Sequence, residues 1–251
     1  MRRNVILTIV LIVGLLILSA PLVSAKTIAL WLCDEGNGQT LKDSSGNGHD
    51  GVFEGKVTWT EGKYGKGLEF HGSPDNVLVE GSEDLTGPTA MTVELWLKAP
   101  KQASYHIPIA KGMKGVGHWE MYLLAGPGFL STYIPDLGDF TGTNWVSDDK
   151  WHHCAIIWDG SAVRLYTDGQ MVNEWAGLKG KKIVADDQGL RIGALFGKEL
   201  WHTGLIDEIR ISDTALDVKE LGFDKSLAKP KAVNKEDKLV IYWGSIKIQY
   251  R

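Results

Sequence analysis

The chain has 251 residues, with 31 acidic against 27 basic side chains and a formal net charge of -4 when histidines are neutral. That balance excludes nucleic acid and anionic membrane as general partners, because such ligands ask for strongly basic surfaces.

Residues 1–25 read as a leader. Arg2 and Arg3 precede an apolar run from Val5 to Ala20, interrupted only by Thr8, Gly14 and Ser19, and Val23-Ser24-Ala25 offers a cleavage point before Lys26. The expectation is therefore an exported protein, secreted or held in the cell envelope. An uncleaved anchor is the alternative, although the run is slightly shorter than the roughly 20 residues of a spanning helix. Cys33 is not beside the cleavage point, so nothing supports a lipid anchor. Removing the leader also removes Arg2 and Arg3 and leaves 226 residues, which suit one β-sandwich or two small domains.

The remaining pattern is mostly of period two. Thr27 to Cys33 reads as a first strand, stopped by "DEGNG". Short strands at 67–70 and 77–79 flank the turn "HGSPDN". In "MTVELWLKA", 91–99, Val93, Leu95 and Leu97 face one way and Thr92, Glu94, Trp96 and Lys98 the other, which predicts a strand with one covered face. Further strands follow at "IPIAKG", "HWEMYLLAG", "FLSTYI", "WHHCAIIWDG", "AVRLYTDG", "MVNEWAG", "GLRIGAL" and "GLIDEIRIS", with hairpin turns at Asp159-Gly160 and Asp168-Gly169. The best helix signal is "DTALDVKELG", capped by Asp213 or Thr214 and ended by Gly222. Residues 225–251 form a basic extension, seven Lys or Arg against Glu236 and Asp237, in which "KLVIYWGSIKIQY" is strand-forming. Many short strands separated by Gly and Asp turns predict an all-β, two-sheet antiparallel jelly-roll sandwich.

The ordered set "ALWLCDEGNGQTLKDSSGNGHDGVFEG", "WTEGKYGKGLEFHGSPDNVLVE", "TVELWLKA", "WHHCAIIWDG", "VRLYTDG" and "GLIDEIRIS" resembles the laminin-G-like, concanavalin A-like domains of bacterial exported proteins and, more distantly, pentraxins. The resemblance covers residues 27–222 and places one domain at 26–224. It implies a jelly roll, often with a structural calcium and often with carbohydrate-binding activity. The chain departs from the pattern at Cys33 and Cys154, where larger apolar residues are usual, and at His71, where aspartate is common. The two cysteines are either small core residues or, in an oxidising compartment, a disulfide.

Calcium asks for six to eight oxygen ligands, and "DSSGNGHDG", 43–51, has them to offer: the Asp43 and Asn47 side chains and the His49 carbonyl. Asp34 follows the first strand and is a further candidate. The resemblance implies that Asp207, in the late acidic strand, approaches this loop. The plainer alternative makes Asp43 an Asx turn, Asn47-Gly48 a tight turn, and Asp207 a partner of Arg210 or of backbone donors.

A sugar site needs planar hydrogen-bonding groups and an aromatic platform. Trp31, Trp96, Trp151 and Trp158 lie in strong strand patterns and are expected in the core. Trp119, Tyr133, Asp136, Asn144 and Trp145 are the ligand-binding candidates, centred on the stretch 126–150 as a groove or loop. Catalysis is not expected. No "GxSxG", "HExxH" or "GxxxxGK" motif occurs, and Glu94 has no acidic partner two residues away to share the work of glycoside hydrolysis. The expected function is a non-catalytic module whose partner is a glycan, with a cell-envelope protein as the alternative.

Overall fold

A computed structural model describes residues 26–228 other than 114, 116 and 197–199. The leader, and all but the first four residues of the basic extension, lie outside the described residues. Sixteen strands are described, and every pairing between them is antiparallel. One sheet contains β1 (Thr27–Trp31), β4 (Thr58–Glu61), β5 (Lys66–His71), β7 (Met91–Lys98), β12 (Trp151–Trp158), β13 (Val163–Thr167), β14 (Gln170–Trp175) and β16 (Thr203–Ser212). Its order is β14-β13-β12-β7-β16-β5-β4, with β1 also on β16. The other contains β2 (Thr40–Leu41), β3 (Gly51–Glu54), β6 (Asn76–Val79), β8 (His106–Lys111), β9 (Trp119–Leu123), β10 (Phe129–Ile134), β11 (Gly138–Trp145) and β15 (Leu190–Ile192), in the order β11-β10-β9-β8-β15-β6-β3-β2. The fold is thus the all-β, two-sheet antiparallel sandwich that the alternating pattern predicts.

The two sheets enclose one main core, in which Trp31, Leu68, Phe70, Val93, Leu95, Leu97 and Trp158 meet Trp119, Met121, Leu123 and Leu130. Each of these strands sends alternate side chains inward, which is the physical content of its period.

In β7 the outward face is buried as well. Residues 213–223 cross it and are tied down: Thr92 Oγ1 donates to the Thr214 carbonyl at 2.7 Å, the Gly222 N–H donates to Glu94 Oε2 at 2.8 Å, and Trp96 Nε1 donates to the Gly222 carbonyl at 3.1 Å. A small second cluster of Ala155, Ile157, Leu216 and Leu221 forms beneath this strap. The expectation of one covered face on β7 is corrected to two. The short turn expected to be capped by Asp213 or Thr214 starts later, with Asp217 as its cap. The segment spends its backbone on the sheet and keeps only a 3-10 turn, Val218–Glu220, closed by a capping box on Asp217.

β16 carries β5 and β1 end to end along one side: Thr203 to Ile206 pair with β5, and Ile209 to Ser212 with β1. Between them the register against β7 shifts and Glu208 takes φ 48, a bulge that re-aims its side chain. Cys33 and Cys154 are both buried and free. From β1 to β12 the sheet order runs through β16 and β7. Three strand spacings amount to about 14 Å, beyond the roughly 7 Å that a disulfide spans.

Candidate functional site

The loop 43–51 closes the free edge of β1. Asp43 Oδ1 accepts the Leu30 and Ser45 N–H groups at 3.0 and 2.8 Å, and Oδ2 accepts His49 N–H at 3.0 Å and Ser45 Oγ at 2.8 Å. Ser44 N–H donates to the Leu30 carbonyl at 2.7 Å. Asn47 Nδ2 donates to the Ile28 and Thr27 carbonyls at 2.7 and 3.1 Å, and the His49 carbonyl accepts Trp31 Nε1 at 2.7 Å. Side chains thus take the place of a missing neighbour strand and satisfy an edge that would otherwise be open. Those hydrogen bonds lower the Asp43 carboxyl below its usual 3.8 against an opposing effect of burial, which is the largest single influence.

This geometry tests the calcium set. Asp43, Asn47 and the His49 carbonyl do not fit a calcium site: four donors occupy the carboxylate's roughly four lone-pair positions, and the Asn47 amide and His49 carbonyl are turned to β1. Asp34 and Asp207 come together elsewhere, at the β16 bulge. Asp34 Oδ1 accepts Lys66 N–H at 3.0 Å, while Asp207 accepts Tyr64 N–H at 2.9 Å and Glu208 N–H at 2.8 Å. Burial pushes the Asp207 carboxyl up to about 7, with the Glu208 and Asp34 charges adding to it and the two backbone donors opposing. Arg210 pairs with Glu94 and not with Asp207. Among the described residues no group of three or more His, Cys, Asp or Glu side chains is arranged to hold a metal ion.

The aromatic site arises from the alternation of β9. Trp119, Met121 and Leu123 point into the core, so Glu120 and Tyr122 stand on the outer face. Tyr133 pairs with Glu120 on one side and with Asp139 on the other, which lines up Glu120, Tyr133 and Asp139 across three strands. The next row is Tyr122, Ser131 and Thr141. Tyr122 reaches over the small Ser131 to donate to Asp139 Oδ1 at 2.7 Å, with Thr141 Oγ1 at 3.3 Å. Burial pushes the Tyr122 phenol up to about 12, Thr141 opposing and Asp139 adding, so the phenol is a neutral donor at neutral pH. The Tyr105 ring lies 5.7 Å from that of Tyr122, and Tyr105 is 43% exposed. With Ile107 and Leu200 these residues line an open cavity of about 320 Å³. That volume is at the lower end of the roughly 300–1,000 Å³ of small-molecule sites.

Two larger cavities, of about 430 and 550 Å³, lie beside Glu69 and His71 and beside the 47–50 loop. Neither is lined by a tyrosine or tryptophan, whereas the smaller cavity is lined by three tyrosines. The tyrosine cavity is therefore the candidate site.

The sequence-predicted ligand residues divide. Tyr133 lines the cavity. Trp119 is fully buried and donates its Nε1 to the Leu85 carbonyl at 3.0 Å, so it is corrected to a core residue. Asp136 accepts Val184 N–H at 3.1 Å in the turn between β10 and β11. Trp145 is 59% exposed at the far end of β11, opposite Phe129, with Asn144 beside it. Four residues of β10 separate Phe129 from Tyr133, about 13 Å along the strand, so these two do not join the cavity. Tyr105, Glu120, Ile107 and Leu200 were not singled out in the sequence. Tyr122 is readable from the sequence as an aromatic near a glycine break, with Asp139 nearby; Glu120 is legible in hindsight as its fellow alternate to Met121, because a one-residue slip exchanges the faces of a strand.

The family model that matches residues 71–222 is Laminin_G_3, described as the concanavalin A-like lectin/glucanases superfamily. Among curated proteins, the sushi, von Willebrand factor type A, EGF and pentraxin domain-containing protein 1 of Rattus norvegicus is 30% identical over 138 residues, and that of Mus musculus 29%. Each match covers 53% of this chain but 4% of the relative, so the chain spans a small fraction of those proteins. Among solved structures, domain 4 of AbnA, an extracellular arabinanase from Geobacillus stearothermophilus, in complex with arabinotriose, is similar with a TM-score of 0.62 and 22% identity. The match covers 78% of this chain and 96% of that one. The binding domain of botulinum neurotoxin DC in complex with SialylT is similar with a TM-score of 0.60 and 15% identity, over 77% of this chain and 49% of that one. At such identities the likeness speaks for the fold.

Proposed function

Since the chain belongs to the concanavalin A-like lectin/glucanases superfamily, we propose that it is a non-catalytic exported module that binds carbohydrate in the tyrosine cavity. The observation that carries this reading is the cavity itself: tyrosine rings to meet the apolar face of a sugar, with Glu120 and Asp139 beside them to accept its hydroxyl protons. The complexes of arabinotriose and SialylT with structures of this fold support the reading without fixing the sugar. Shallow contacts of this kind give weak single-site affinity that gains from multivalency.

A glycan array probed with residues 26–251, followed by titration of the hits, tests the proposal. Tyr105→Ala changes a half-exposed side chain and leaves the core intact. It is expected to weaken binding by about tenfold, roughly 1.4 kcal/mol. Silence across the array, together with specific capture of an envelope protein, would transfer the module to the protein-binding class.

Calcium belongs to the proposal only at Asp34 and Asp207. A divalent ion there would neutralise the mutual repulsion of two carboxylates beside Glu208, with backbone carbonyls and water completing its shell. Calorimetric titration with calcium is the check: equal calcium affinity in the parent and in Asp34→Asn removes this assignment.

A further inference from the structure

We infer that the tyrosine cavity selects by charge, taking neutral or amino sugar units and turning away uronic and sialic acids. This rests on the glycan reading above. Among the described residues the lining consists of Tyr105, Tyr122, Tyr133, Glu120, Asp139 and two aliphatic side chains, none of them Lys or Arg. A site for a carboxylated sugar is normally built the other way, around a guanidinium or ammonium that meets the anion.

The two carboxylates play different parts. Glu120 Oε2 lies 2.9 Å from Nε2 of the buried His118, whose Nδ1 lies 3.2 Å from the Gly112 carbonyl. Glu120 is thus held from behind by a buried histidine, whereas Asp139 is the exposed carboxylate of the cavity. Asp139 Oδ1 already accepts the Tyr122 hydroxyl. Asp139 Oδ2 and Glu120 Oε1 have no hydrogen-bond partner among the described residues; Asp139 is exposed, while Glu120 is 5% exposed and lines the cavity floor as a second acceptor. A hydroxyl or an ammonium brings the donors they want. A sugar carboxylate brings acceptors and a like charge. An exposed like-charge contact is worth up to about 1 kcal/mol, or about fivefold in affinity, and it is screened by salt.

The test uses residues 26–251 on an array of neutral, amino and acidic glycans, followed by titration with oligogalacturonides and with the same oligomers after carboxyl reduction, at low and high salt. Expected are hits confined to neutral and amino glycans, and an about fivefold advantage of the reduced oligomer at low salt. That advantage shrinks at high salt and in Asp139→Asn. Acidic glycans that bind as well as or better than their reduced counterparts overturn the charge selection and leave the glycan reading standing. Binding of no glycan at all overturns that reading and this inference with it. A charge preference that persists unchanged in Asp139→Asn overturns the assignment to Asp139.

Discussion

Replacing Asp43 by alanine separates an edge-sealing carboxylate from a metal ligand. Four hydrogen bonds end on this side chain at 2.8 to 3.0 Å. Each bond to a charged acceptor is worth about 1.5–3 kcal/mol when both partners are buried. Here the Ser45 donors lie next to solvent and rehydrate readily, whereas the Leu30 and His49 N–H groups keep their positions in the edge and lose their acceptor. The expected loss is therefore about 2–4 kcal/mol, which for a domain of this size lowers Tm by roughly 5–12 °C. Asp43→Asn keeps one acceptor oxygen and should fall between parent and alanine variant. The folded pKa is lowered, so this contribution is fully present above about pH 4 and is lost as pH falls through the folded value. Differential scanning calorimetry with calcium and with chelator is the assay, and the deficit of the alanine variant should be the same in both. If chelator brings the parent down to the variant, the carboxylate works through a metal and the edge-sealing account is wrong.

Three further outcomes follow from buried groups. His106 and His202 have rings 5.7 Å apart, and burial depresses them to about 4 and about 3; among the described residues neither ring nitrogen of His202 has a hydrogen-bond partner. Their folded values lie below the unfolded value of about 6.5, so stability is retained above that pH and lost below it; urea midpoints from pH 7.5 to 5.5 should record a loss of about 1.4 kcal/mol per histidine across the window, and His202→Phe should reduce it. Glu94 is fully buried and accepts from His153 Nε2 at 2.8 Å, Arg210 Nε at 2.5 Å and Gly222 N–H. Glu94→Ala strands those donors at a cost of about 3–5 kcal/mol and should expose the 213–223 strap to limited proteolysis; an unchanged cleavage pattern counts against the strap. Because Cys33 and Cys154 are separated by three strand spacings, the unfolded protein should present two titratable thiols without reductant, and oxidation should not raise Tm.

Period-two segments were readable because their alternation reports burial directly: Val93, Leu95 and Leu97 enter the core as the pattern requires. What escaped the pattern is contributed by neighbours distant in sequence. Nothing near Thr92 or Glu94 announces that residues 213–223 will lie across them, and that contact both buries the second face of β7 and unwinds the helix-like "DTALDVKELG". β2, β3, β4 and β11 were not foreseen as strands; they are short or exposed, and β11 shows only Phe140 and Gly142 as buried residues. At the candidate sites, loop composition pointed to the segment but not to the hydrogen bonds that it makes. Oxygen-rich "DSSGNGHDG" satisfies Thr27, Ile28 and Leu30 by hydrogen bonding, a demand visible only once β1 is known to lack a neighbour on that side. Tyr133 was identifiable as an aromatic near a turn, but its partners Glu120 and Tyr105 come from β9 and from the approach to β8.

The position of the cavity follows from how the two sheets are covered. The outer face of the β12–β7–β16 region is occupied by the strap, with Leu216 and Leu221 packed on Ala155 and Ile157 and Glu94 neutralised beneath. Aromatic side chains there, such as Trp96, are consumed in holding the strap. On the opposite sheet Leu195 and Leu200 cover the outer face around Ile107 and Ala110, and β9, β10 and β11 extend beyond that cover. The step between covered and uncovered strands is the cavity: Leu200 and Ile107 form its apolar wall, and Tyr122, Tyr133 and Asp139 form the open sheet. Substitutions on the open strands would therefore alter the lining of the proposed site at little cost to the core, since Ser131 and Thr141 support Tyr122 from the outer face while Leu130 and Phe140 hold the same strands from within. If the proposed site is the binding site, recognition would vary along β9–β11 while the sandwich, set by the inward alternates, stays the same.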